Sequence, residues 1–92
     1  MSQKNFTRLL EEAVKHHQRG ALDKAERLYL QVLELDAHQY DALNLLGVIA
    51  QQQNNFQQAV NFFNRAIASA PELTPAHINM ANTLRDKGQI RD

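Results

Sequence analysis

Three turn-forming residues, Gly20, Asn54 and Gly88, follow one another at a spacing of 34 residues. Apolar residues keep the same step, pairing Leu22 with Phe56, Ala25 with Ala59, Tyr29 with Phe63 and Leu33 with Ile67. A period of this size confines a chain to architectures that copy one small unit and stack the copies. Each unit is too small to bury its own apolar face and must bury it against a neighbour. Inside the period, Leu43, Leu46, Gly47 and Ala50 share one helical face at i, i+3, i+4, i+7 spacing. Asn54 and Asn55 interrupt that face, since asparagine favours turns and tolerates left-handed backbone. A second stripe follows, Phe56, Ala59, Val60, Phe63, Ala66 and Ile67, until Pro71 stops it. The unit is therefore helix–turn–helix. Gly47 and Ala59 are the small residues on its facing stripes, where two backbones can approach closely.

The same reading extends along the chain. A first helix runs from about Asn5-Phe6-Thr7 to Gln18 or Arg19, with Leu9, Leu10, Ala13 and Val14 on its apolar side. Gly20 suits its C-terminal cap, and Asp23 with Glu26 predicts a capping box for the second helix. That helix buries Leu22, Ala25, Leu28, Tyr29, Val32 and Leu33, and Asp36-Ala37-His38 connects it to the third. After the fourth helix, Thr74 is placed to be an N-cap and Pro75 the first residue of a fifth. The fifth should end near Lys87, with Gly88 as its stop. The expectation is an all-α chain of five helices forming one domain over 1–92, with repeats at about 6–39 and 40–73 and an incomplete one at 74–92.

Leu43, Leu46-Gly47, Phe56, Ala59, Phe63, Ala66 and Pro71, carried on a 34-residue helix–turn–helix period, resemble the tetratricopeptide repeat (TPR) family. The resemblance implies a right-handed solenoid of about two and a half repeats. It also implies a protein–protein interaction scaffold that binds an extended peptide in a concave groove lined by the first helix of each pair. The groove positions are then Leu10, Val14 and His17, followed by Asn44, Val48 and Gln51, then Ile78, Asn82 and Arg85, flanked by Gln52, Asn79 and Asp86. Their amides can bond a peptide backbone as both donor and acceptor. Repeats that clamp acidic chaperone tails carry Lys and Asn where this chain has Leu10 and Val14, so that ligand is not expected.

Three departures shape further expectations. Ala37 stands where the family usually has proline, which predicts a looser turn. Glu12 and His16 are polar where core is usual, as suits a solvated N-terminal cap. The third repeat lacks its second helix, leaving Met80, Ala81 and Leu84 without their usual partner. The chain is thus expected to be the N-terminal piece of a longer array, with self-association through the fifth helix as an alternative. The run Ala76 to Gly88 also resembles repeats of O-linked N-acetylglucosamine transferases, with Asn79 and Asn82 matching and Asn44 one residue out of step. That likeness implies an alternative role as the substrate-recognition arm of a protein glycosyltransferase whose catalytic domain lies beyond Asp92.

Composition narrows the partners. Ten Lys+Arg balance ten Asp+Glu, so the chain lacks the basic field that nucleic acid or an anionic membrane rewards. With no cysteine there is neither a disulfide nor a thiolate metal site. No apolar run approaches the ~20 residues of a membrane span, and the N-terminus lacks a signal-peptide core; a cytoplasmic setting is expected. His16 and His17 are adjacent and diverge on a helix, and the remaining histidines and Glu11-Glu12 form no catalytic constellation. The sequence predicts no catalytic residue, no cofactor and no metal, with another protein or peptide as partner.

Overall fold

The computed structural model describes the backbone of residues 2–91 and the side chains of residues 6–88. It contains five helices: α1 (Ser2–Gln18), α2 (Leu22–Leu35), α3 (Tyr40–Gln52), α4 (Phe56–Ser69) and α5 (Pro75–Arg91). There is no strand among the described residues. Helices α1 and α2 pack as one hairpin and α3 and α4 as a second, and contacts between α2 and α3 and between α4 and α5 join the units. The result is an elongated stack with extents of 48 × 29 × 17 Å.

The turns repeat as closely as the helices do. Gly20 has φ +82 and Asn54 has φ +63, both left-handed. At the first turn Ala21 N–H donates to His16 O at 2.9 Å and Gly20 N–H to His17 O at 3.0 Å. One period later Asn55 N–H donates to Ala50 O at 2.8 Å and Asn54 N–H to Gln51 O at 3.0 Å. Each pair is a Schellman cap, which satisfies the last carbonyls of one helix while aiming the chain into the next. Because Ala21 both closes this cap and precedes α2, the helix begins at once. Its N-cap is Ala21 with no side-chain bond, and Asp23 lies inside the first turn. The expected Asp23–Glu26 capping box does not form, and Asp23 acts only as a favourable charge near the helix N-terminus.

Gly88 departs from expectation. It lies inside α5, which runs on to Arg91. At Gly20 and Asn54 the reversal is coupled to a returning helix that packs against the one before. At Gly88 no positive φ is found, and the residue keeps the right-handed helical conformation of its neighbours. The turn at Ala37 is tighter than expected. Asp36 Oδ1 accepts from His38 N–H at 3.0 Å, an Asx turn that holds the corner without proline. Gln39 Oε1 then caps α3 by accepting from Ala42 N–H at 2.8 Å. As expected, α5 begins at Pro75 and α4 ends ahead of Pro71.

Two apolar clusters form the core, and each crosses from a hairpin into the next unit. The first joins Ala13, Ala25, Tyr29 and Val32 to Ala42, Leu46 and Ile49 of α3; the second joins Leu43, Ala59, Phe63 and Ala66 to Ala76 of α5. Helix α3 serves both clusters, which explains why it is buried on nearly every side. Helix α5 is covered on one side only. Ala76 and Thr83 are fully buried, whereas Ile78 is 58 % and Leu84 52 % exposed. Met80 packs half-buried on the second cluster, while Ala81 and His77 face outward. His77, at the position matching core Leu43, bonds Pro71 O through Nε2 at 3.0 Å instead.

Gly47 sits against the Phe63 ring. A Cβ built on Gly47 would overlap Cε1 and Cδ1 of that ring and come within 2.8 Å of Cζ. Phe63 is fully buried, so the ring has little room to retreat. Gly47→Ala should therefore cost about 1–3 kcal/mol by overpacking, read as a lower urea midpoint at unchanged m-value. Adding Phe63→Leu should return part of that penalty, because the two changes share one space. A Gly47→Ala protein as stable as the parent would show that backbone and ring are not in contact.

Candidate functional site

Helices α1, α3 and α5 are the first helices of successive units, and side-chain bonds tie them together on one face. His17 Nε2 bonds Gln52 Oε1 at 3.0 Å, and Gln51 Nε2 donates to Asp86 Oδ2 at 3.2 Å. These are one contact repeated, since Gln51 matches His17 and Asp86 matches Gln52 one period on. With Oε1 as acceptor, Nε2 of His17 is the donor, and its Nδ1 lies 3.5 Å from Tyr29 Oη. Tyr29 is fully buried. That burial, followed by the Asp41 carboxylate, pushes its hydroxyl up to about 12, so it stays protonated. A further tie reaches across from α3 to the start of α5, where Tyr40 Oη accepts from Ala76 N–H at 2.9 Å. This satisfies a backbone donor in the first turn of α5.

The third tie changes character along the stack. Asn79 Nδ2 donates to Asn44 Oδ1 at 3.1 Å, at a sequence separation of 35. One period earlier the matching residues are Leu10 and Leu45. Where α3 and α5 are joined by paired amides, the matching places on α1 and α3 carry aliphatic side chains. Between α1 and α3 lies an open pocket of about 630 Å³, lined by Leu10, Glu11, Val14, Lys15, Asp41 and Leu45.

The expected groove residues take up distinct roles. Leu10 and Val14 line that pocket, half-buried, and His17, also half-buried, lies outside it and bonds Gln52. Asn44 is 8 % exposed and engaged with Asn79, while Val48 and Gln51 are half-buried on α3. Asn82 Oδ1 accepts from Arg85 Nη2 at 3.0 Å, and Ile78 is the most exposed large apolar side chain of this face. Reasoning from sequence missed Leu45, Asp41, Tyr40 and Thr83. Leu45 could have been found from its separation of 35 from Leu10, the separation at which the cross-helix hydrogen bonds occur. Thr83 is fully buried with its hydroxyl bonded to Asn79 O at 2.8 Å, and no sequence signal marks it.

A tetratricopeptide repeat family model matches residues 16–76 of the sequence. The chain belongs to the tetratricopeptide repeat family. The match runs from the end of α1 through α2, α3 and α4 to the first turn of α5, and so covers the turns and both core clusters at their centres. TPR units are generally protein-interaction modules. Among the described residues no group of His, Cys, Asp and Glu is placed to hold a metal ion, and no helix is long and apolar enough to cross a membrane.

The amide pair gives a direct test of this repeat. Asn79→Leu alone should cost about 1–3 kcal/mol, because the buried Asn44 amide loses its partner. Asn44→Leu with Asn79→Leu, which reproduces the Leu10 and Leu45 arrangement, should recover most of that loss in chemical denaturation. Simple addition of the two penalties would mean that the two places are not equivalent.

Proposed function

We propose that the α1–α3–α5 face forms a concave groove that binds an extended segment of another protein. The observation that carries this reading is an apolar pocket of about 630 Å³ between α1 and α3 together with Ile78, 58 % exposed, on the same face. Both expose apolar surface on a face whose interhelical polar groups are already paired, and apolar surface of that kind rewards a partner that covers it. Val48 and Gln51 on α3 and Asn82 and Arg85 on α5 lie between and beyond them, so a bound strand meets alternating apolar and polar groups. The C-terminal ends of α1 and α3 are fixed by Schellman caps, and cross-helix bonds tie α1 to α3 and α3 to α5. A groove held in this way loses little conformational freedom when it is filled.

A photo-crosslinking residue placed at Ile78 or Arg85 should capture a partner protein from the source cell. The same residue at Asn64 or Gln57, exposed on α4, should capture nothing or much less. Capture from α4 with none from α5 would place the interaction on the opposite side of the stack and overturn this reading.

A further inference from the structure

The pocket between α1 and α3 differs in kind from its counterpart one unit on, where Asn44 and Asn79 close the space with a hydrogen bond. Its floor, Leu10, Val14 and Leu45, packs directly on the first core cluster. A floor continuous with the core keeps its shape, and its volume of about 630 Å³ falls within the roughly 300–1,000 Å³ typical of ligand pockets. Glu11, Lys15 and Asp41 stand at the rim, exposed. Among the described residues none of these three side chains is held by a hydrogen bond or an ion pair. Two carboxylates against one ammonium make the rim net acidic.

We propose that this pocket is an anchor site for one aliphatic side chain of the bound polypeptide, and that Asp41 and Glu11 select a Lys or Arg next to that anchor. The proposal rests on the groove assignment above and names the ligand chemistry at its α1–α3 end. Burial of an aliphatic side chain on the floor supplies affinity in proportion to the area removed from water. The carboxylates supply selection: a basic neighbour is attracted, and an acidic one is repelled and left without a partner. The field of Asp41 already reaches inward, being the second cause of the raised Tyr29 hydroxyl after burial. Asp41 lies in the first turn of α3, so its position is set by the helix rather than by a loop. One unit later its place is taken by Pro75 and that of Leu10 by Asn44, so this combination of apolar floor and acidic rim is not repeated between α3 and α5.

Three fluorescent peptides of equal length on a Gly-Ser background would test this, with Leu-Arg, Ser-Arg or Leu-Glu at the centre. Binding to the 92-residue chain would be followed by anisotropy and by backbone amide shifts. The Leu-Arg peptide should bind about tenfold tighter than the Ser-Arg peptide, the effect of burying one aliphatic side chain. Its shift changes should centre on Leu10, Val14 and Leu45. Asp41→Lys should invert the preference for Arg over Glu while keeping that for Leu over Ser, and Asp41→Asn should narrow it without inversion. Equal binding of all three peptides, no binding of any, or shift changes away from the pocket would overturn the anchor. If Ile78 still captures a partner in that event, the groove function stands without the anchor; if capture also fails, both are lost.

Discussion

The contact of Gly47 with the Phe63 ring sets how closely α3 can approach α4, and the rest of the stack depends on that approach. A hairpin of this length cannot bury enough apolar surface to offset the entropy of ordering it. Close approach within the hairpin and completion of its core by the next helix solve the problem together. Helix α3 does both, lending Leu46 and Ile49 to the cluster before it and Leu43 and Ala50 to the cluster it shares with α4. One unit earlier Ala13 and Tyr29 hold the places of Gly47 and Phe63 and are likewise fully buried. The arrangement is thus a small residue against an aromatic ring, met in two chemical forms.

Stacking by translation along one direction has a consequence for function. First helices come to lie beside first helices, and the side chains between them are called on to hold the face together. His17 with Gln52, Gln51 with Asp86 and Asn79 with Asn44 do this with hydrogen bonds, whereas Leu10 and Leu45 line a pocket between α1 and α3. Residues on this face therefore divide into ties between helices and side chains left exposed. Asn44 is the first kind; Ile78 is the second. The hydrogen-bonded pairs recur at a fixed separation of 35, while the identity of the residues at each place belongs to this sequence.

Much of the fold was legible because local and repeating signals agreed. The turns at Gly20 and Asn54 were marked both by residues that accept left-handed backbone and by their spacing, and both have positive φ. The start of α5 at Pro75 was marked by a residue that cannot sit later in a helix. Gly88 carried the same spacing signal, yet α5 runs through it to Arg91; spacing alone does not make a turn where the backbone can continue as helix. The Asp23–Glu26 box failed for a similar reason, since the Schellman cap at Gly20 had already decided where α2 begins. Ala37 was expected to loosen its corner, but the Asp36 carboxylate supplies the missing constraint, and sequence reading attended to the absent proline rather than to the aspartate before it. At the candidate site the helical face could be read from the period, yet the pairs across helices could not. They occur at a separation of 35 rather than 34, so Leu45 and Asn79 are partners of Leu10 and Asn44 only once the stagger of neighbouring helices is known.

The central claim is that α3 and α4 close on each other through intimate contact between a backbone and an aromatic ring, and that side-chain bonds tie α3 to α5 in the next unit. Proton nuclear Overhauser spectra of the chain in solution test it most directly. The account predicts strong cross-peaks from the Gly47 α-protons to the Phe63 ring, upfield-shifted α-protons at Gly47, and cross-peaks between the side-chain amides of Asn79 and Asn44. Gly47 α-protons at ordinary shifts with no contact to Phe63 would contradict it.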